Sequence, residues 1–282
     1  MKRINILLLL LIVPALIVSA QVPDTFTYKV GDFTVTMMSE GQQEGKSSIL
    51  IDASEEIMKE TIPEGTFPNA VNAFLIENDT YTILADAGFG RKLFDNLEAV
   101  GKKPTDIDRI ILTHMHGDHI GGLTVNGEIA FLNAMVFIAE REIAYWKEEN
   151  NKNADQVMNL YDEAITLISP GDFGKPKRVT KGISAIKAYG HTPGHTAYLI
   201  ESNGEKLLIW GDVTHAMAVQ MPYPQISVTY DVDPDYARES RLAILKYVAE
   251  NNIPVAGMHI AYPGIGYVKD NGNGGYEFVP VE

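Results

Sequence analysis

None of the seven histidines in this chain lies before position 114, and each follows a short apolar run within a few residues. Such runs read as strands, and loops at strand ends are where side chains from distant parts of a chain can meet. The densest group is Thr113-His114-Met115-His116-Gly117-Asp118-His119. It sits between the apolar strand Arg109-Ile110-Ile111-Leu112 and Ile120-Gly121-Gly122-Leu123. Histidines two positions apart on an extended backbone or tight loop can bind one ion together, while Asp118 and His119 turn toward a second. Imidazole nitrogens and carboxylate oxygens are donors that zinc prefers. Three later segments supply partners, each after a strand: Gly190-His191-Thr192-Pro193-Gly194-His195, Trp210-Gly211-Asp212 and Gly257-Met258-His259.

Strand-like and helix-like stretches alternate around these motifs. Residues 26–38 read as a hairpin turned at Gly31-Asp32, with Phe33, Val35 and Met37 alternating. Further strands are expected over 73–76, 81–85, 109–113, 135–139, 183–188 and 255–258. A hairpin is expected over 197–210, and a turn over 271–275 between two terminal strands. Residues 92–100 and 234–251 read as helices, and 140–168 as largely helical up to Pro170-Gly171. Scattered helices among more numerous strands predict sheets in the middle and helices outside. That pattern alone fits a sandwich and a doubly wound sheet equally.

Residues 1–20 read as a signal peptide. Lys2 and Arg3 precede an almost unbroken apolar run from Ile6 to Val18, and Val18-Ser19-Ala20 places small residues before a cleavage point at Gln21. The expectation is a single domain over 21–282, exported to the periplasm or the medium, with no stable membrane span after cleavage. The chain has no cysteine, which removes thiolate metal ligands, disulfides and a lipid-bearing N-terminus. Its formal charge is −14, and loss of Lys2 and Arg3 makes it more acidic still. Such a chain repels phosphate backbones, so nucleic acid is not the expected partner.

The order H-x-H-x-D-H, then G-H-T-P-G, then G-D, then a late histidine resembles the metallo-β-lactamase superfamily. Leu84-Ala85-Asp86-Ala87-Gly88 resembles the family's early Leu-x-Asp-x-Gly motif. The resemblance covers about residues 30–270. It implies an α+β fold, an αββα sandwich with metals at one edge between the sheets, and two divalent ions, zinc foremost. His114, His116 and His191 would hold the first ion; Asp118, His119 and His259 the second; Asp212 would bridge them. His195 and Asp86 would support ligands from behind. His215 and Tyr262 stand as second-layer or pocket candidates, with Tyr223 and Phe67 as further pocket or packing residues.

The implied chemistry is a metal-bridging hydroxide attacking an ester, with Asp118 orienting it and moving its proton. Within the family, the absence of cysteine and the presence of Asp212 weigh against a β-lactamase. The export signal weighs against glyoxalase II, and His259 against the mono-iron persulfide dioxygenases. Asn72–Ile76, Gly211–His215 and His259–Tyr267 resemble the exported lactonase and organophosphate-hydrolase branch, which includes methyl parathion hydrolase. Tyr267 departs from that branch, where a histidine is expected. The expected substrate is a small ester, foremost a lactone, with organophosphate esters second. The rival readings are a β-lactamase-type amide hydrolase, an iron oxidoreductase on the same ligands, and a non-catalytic metal-binding protein.

Overall fold

In the computed structural model, which describes residues 24–282, two seven-stranded sheets pack face to face. The signal peptide expected over 1–20 lies outside the described residues. The first sheet runs in chain order: β1 (Thr25–Val30), β2 (Phe33–Lys46), β3 (Thr66–Glu77), β4 (Thr82–Ala85), β5 (Arg109–Ile111), β6 (Met135–Ala139) and β7 (Ile165–Ile168). The second also runs in chain order: β8 (Lys177–Thr180), β9 (Ile183–Lys187), β10 (Thr196–Ser202), β11 (Glu205–Ile209), β12 (Val255–Ala256), β13 (Ile265–Asp270) and β14 (Tyr276–Pro280). Strands β4 to β7 are parallel, as are β11 and β12. The helices are α1 (Glu55–Thr61), α2 (Leu93–Ala99), α3 (Gly117–Ile120), α4 (Glu140–Glu149), α5 (Lys152–Leu160), α6 (Met217–Gln220) and α7 (Pro234–Asn251). No helix among the described residues is long and apolar enough to cross a membrane.

The layers follow from the period-2 side-chain alternation of strands. In β3, Phe74 and Ile76 face the space between the sheets, where they meet Ile83, Ile111, Tyr198, Ile200, Leu207 and Ile209. Ala73 and Leu75 face the other way, into a cluster closed by Leu97 of α2, Ile143 and Trp146 of α4, and Val157 of α5. The second sheet does the same: Ile186, Leu199, Leu208 and Val255 turn outward onto Ile244, Leu245 and Val248 of α7. Full burial of each such aliphatic side chain contributes about 1.5–3 kcal/mol. The result is helix, sheet, sheet, helix, the sandwich that the resemblance implies.

Two stretches differ from the sequence expectation. Residues 140–168 are not helical to their end: α5 stops at Leu160, and Ile165–Ile168 pairs in parallel with Met135–Ala139. Two isoleucines and a threonine at one sheet edge favour a strand. The first hairpin also runs further than Met38. After a register shift between Ser39 and Gln42, β2 stays paired with β3 out to Lys46 opposite Thr66. This overhang carries polar side chains without alternation, which hid it in the sequence.

Helix α7 spans the residues expected of it because its ends are marked. The Asp233 side chain accepts from Tyr236 N, Pro234 stands at the first turn, and Asn252 stops the helix in the left-handed region. Its N-terminus docks on the loop after β9, with Asp233 N donating to Gly190 O at 2.9 Å and Val232 N to His191 O at 3.0 Å. Gly190 allows this approach: its φ is +124°, and a Cβ there would lie 2.0 Å from Ala237 N. Gly190→Ala should therefore cost about 3 kcal/mol in urea unfolding of the metal-free protein, from overpacking plus backbone strain. A change below about 0.5 kcal/mol would contradict this docking geometry.

Candidate metal centre

The strands that lead to the histidine motifs run in the same direction within each sheet, so their C-terminal ends open at one edge of the sandwich. Asp86 follows β4 and the His114–His119 segment follows β5. His191 follows β9, Asp212 follows β11, and His259 follows β12. Helix α3 begins at Gly117, so His116 and His119 sit on either side of a turn and face different parts of the cluster.

His114 Nε2 and His191 Nε2 each lie 2.9 Å from His116 Nδ1. Asp212 Oδ2 lies 3.6 Å from His114 Nε2 and 3.3 Å from His191 Nε2. Beside this group, Asp118 Oδ2 lies 3.8 Å from His119 Nε2 and 3.5 Å from His259 Nε2. Asp212 reaches into both groups: Oδ1 is 3.2 Å from His119 Nε2, and Oδ2 is 3.1 Å from His259 Nε2. Each group can therefore present one donor atom per residue to a common point.

The donors fit divalent metal. Tetrahedral zinc at ordinary bond lengths sets its ligand atoms about 3.3 Å apart, close to the spacings above. His119 Nε2 and Asp212 Oδ1 are buried 3.2 Å apart and neither makes a hydrogen bond of good geometry within the protein, a costly state for buried polar atoms. The set is all nitrogen and carboxylate oxygen, which suits zinc and also other first-row metals.

A second layer fixes which nitrogen each ring offers. His119 Nδ1 is 2.6 Å from Asp86 Oδ2, His191 Nδ1 is 3.0 Å from Asp231 Oδ1, and His259 Nδ1 is 2.9 Å from Ala70 O. These acceptors hold the proton on Nδ1 and leave Nε2 free to face the centre. Asp86 also accepts from Thr113 N and Thr113 Oγ1, and that hydroxyl lies 3.0 Å from His114 Nδ1. His195 is turned away from the cluster's donors: its Nδ1 donates to Ala188 O at 2.7 Å, and its Nε2 accepts from Asp212 N at 2.9 Å. It holds the backbone of Asp212. His215 stands closer in, with Nε2 3.1 Å from Asp212 Oδ2 and its ring stacked on His259 at 4.7 Å.

Burial works against charge throughout the cluster, and the carboxylates decide where charge survives. Burial and neighbouring histidines pull His116 down to about 3. Burial and His191 pull His195 down to about 3 as well. For His191 burial is outweighed by Asp212 and Asp231, which push it up to about 9. Burial is likewise outweighed at Asp212, which the surrounding histidines hold well below the usual carboxylate range.

A cavity of about 690 Å³ opens onto His116, Asp118, His191, Asp212, His215 and His259. Its outer wall comes from the β2 overhang and the segment after it (Gln43, Glu44, Lys46, Ser48 and Ile49), and from Asn69, Val71, Phe89, Arg91 and Tyr230. Tyr262, a pocket or second-layer candidate by sequence, does not line this cavity. Its ring packs edge-on against Phe26 at 5.8 Å, and its backbone N donates to Gln42. Tyr223 is spent on Glu60, to which its hydroxyl donates at 2.8 Å, and Phe67 is buried against Ala216, Val219 and Ile226. Asp231 was not anticipated: Tyr230-Asp231-Val232-Asp233-Pro234 reads only as a turn before a helix, and Asp233 takes the visible capping role. Only the fold brings Asp231 behind His191.

Fold and site together define a metal-dependent hydrolase scaffold. Residues 66–252 match the Metallo-beta-lactamase superfamily, and the chain belongs to it. An N-acyl homoserine lactonase from Bacillus cereus is 37% identical over 115 residues, 40% of this chain and 40% of that protein. In this lactonase, a second Bacillus lactonase and the protein YobT of Bacillus subtilis, the aligned region spans between 40% and 61% of their length. Among solved structures, the hydrolase AbOPH of the beta lactamase superfamily superposes with TM-score 0.82 and 27% identity, covering 93% of this chain and 99% of that one. AidC, described as a dizinc quorum-quenching lactonase in complex with a product, gives TM-score 0.82 and 25% identity, over 92% and 97%.

The His191 shift has a measurable sign. Its pKa of about 9 lies above the ordinary 6.5, so in the metal-free protein its ion pairs stabilise the fold fully below pH 6.5 and lose that contribution as pH rises through 9. At pH 7 the ring is protonated without metal and must shed its proton to become a ligand. Calorimetry of zinc uptake in buffers of different ionisation enthalpy should show about one or more protons released per chain at pH 7, falling toward pH 9. Uptake without proton release would contradict the assignment of His191.

Proposed function

We propose that this chain is an exported dinuclear metal hydrolase that opens small neutral esters, foremost lactones. The observation that carries the reading is Asp212, a buried carboxylate that reaches both groups of donors, with Oδ2 3.3 Å from His191 Nε2 and 3.1 Å from His259 Nε2, and Oδ1 3.2 Å from His119 Nε2. Divalent ions held by His114, His116, His191 and Asp212, and by Asp118, His119, His259 and Asp212, would acidify water into nucleophile range at neutral pH and act as Lewis acids beside an acyl oxygen.

The chain's own residues do the rest. Of the two candidate ligand carboxylates that line the cavity, Asp118 is the more open, its side chain 22% exposed against 2% for Asp212. Burial would raise its pKa, but His119 and His259 keep it below the usual range. It is therefore a base at neutral pH, able to accept the proton of attacking water and return it to the departing alkoxide. Phe89, Val71, Ile49 and Tyr230 offer apolar surface to the non-reacting part of the substrate, and Ser48, Gln43 and Asn69 offer polar contacts. The reaction adds water across the acyl C–O bond and yields a carboxylate and an alcohol. Similarity to AidC and to the Bacillus cereus lactonase supports a lactone, and organophosphate esters stand second on the sequence resemblance alone. The export reading rests on residues 1–20 alone.

The test is hydrolysis of a panel of lactones, aryl esters, phosphotriesters and a chromogenic cephalosporin by the zinc-loaded protein. Lactone turnover is expected to lead the panel, and Asp118→Asn to lower kcat by about 10²- to 10⁴-fold with zinc still bound. Lactones left untouched while the cephalosporin turns over would make the protein an amide hydrolase instead.

A further inference from the structure

Glu142 in α4 is buried on every side and belongs to neither donor group. Its oxygens accept four hydrogen bonds from three segments of the chain. Oε1 accepts from Met115 N at 3.0 Å and from Trp146 Nε1 at 2.6 Å. Oε2 accepts from Thr192 Oγ1 at 2.6 Å and from Gly194 N at 3.0 Å. Met115 separates His114 from His116, and Thr192 follows His191. One carboxylate thus holds both loops that deliver the first metal's histidines. The loops come from different sheets, and the backbone bond from Thr196 N to Thr113 O at 2.9 Å ties them at their other ends.

Two features show that the contact is built in. Gly194 is where α4 comes closest: a Cβ there would lie 2.3 Å from Glu142 N, so the glycine of the Thr-Pro-Gly turn makes room for the helix. Trp146, one turn on, donates to Glu142 and sets its ring edge-on to His116 at 5.4 Å. Only a carboxylate of this length satisfies all four donors, because each of its oxygens accepts two bonds. An amide offers one accepting oxygen and turns its own N–H groups against the remaining donors.

We infer that Glu142 is a positioning residue of the metal centre, fixing the His114–His116 loop against the His191 loop and so setting the ligand spacing of the first ion. The inference rests on the dinuclear reading. It is tested by chelator competition on the zinc-loaded protein, comparing the parent with Glu142→Gln and Thr192→Val, each also combined with His259→Ala. The first ion should bind about 10- to 100-fold more weakly in either variant, as for other groups that orient metal ligands from behind, and the second should change by less than about twofold. Combination with His259→Ala, which weakens the other site, should then leave less than about one ion per chain. A fall in melting temperature of the metal-free protein with both zinc affinities unchanged would overturn the inference and leave Glu142 a packing residue. If Glu142→Gln does not fold, Thr192→Val carries the same outcomes, since it removes one donor without burying an unmatched amide. A parent that binds fewer than two ions fails the dinuclear reading itself, a result distinct from a parent with two ions and variants that keep them.

Discussion

A carboxylate buried at the meeting point of five histidines is the constraint on which the rest of this structure depends. Asp212 is 2% exposed, and its oxygens lie within 3.6 Å of ring nitrogens of His114, His119, His191, His215 and His259. A charge taken so far from water is tolerable only with compensating charge around it. Protonated histidines can supply part of that compensation, and Asp212 and Asp231, outweighing burial, push the pKa of His191 up to about 9. Such protonation comes at a cost, because histidine rings crowded at 2.9 Å repel one another when charged. Divalent ions would resolve the conflict by neutralising the carboxylate and accepting the crowded nitrogens as donors.

The sandwich is arranged to serve this point. Five strand ends from two sheets deliver the ligands and Asp86, and the core between the sheets fixes those strands rigidly. Behind the ligands stands a layer of fixed acceptors (Asp86, Asp231 and Ala70 O), and behind that layer stand groups that hold the acceptors. Arg241 of α7 is one, with its guanidinium 3.5 Å from Asp231 while also donating to Val213 O, Pro224 O and Ile226 O. Thr113 is another, bonded to Asp86 through both its backbone and its hydroxyl. These buried polar networks cost stability and fix the candidate donor atoms in place, a cost that metal binding would offset.

What could be read from the sequence divides along local and non-local lines. The ligand motifs are local: His114 to His119 occupy six consecutive positions, and the Thr-Pro-Gly turn and the Gly-Asp pair are equally compact. The same holds for α7, whose capping aspartate, proline and terminal asparagine mark both ends. The family and the layered fold followed from these segments. Asp231 and Glu142 stayed hidden because their roles exist only after folding. In sequence, Glu142 is one of several acidic residues on α4, and nothing near it signals that Thr192 and Gly194 will pack against it. The overhang of β2 and β3 was missed because its strands lack alternation, and the pocket wall went with it. Tyr262, a pocket or second-layer candidate by sequence, turns its ring to Phe26 instead.

The most direct test of the central claim is metal content per chain in the purified protein and in Asp212→Ala. A bridging Asp212 predicts about two zinc ions in the parent and at most about one in the variant, because its removal takes a ligand from both sites at once. One ion in the parent, retained in full when Asp212 is replaced, would mean that the carboxylate bridges nothing and that the centre is mononuclear.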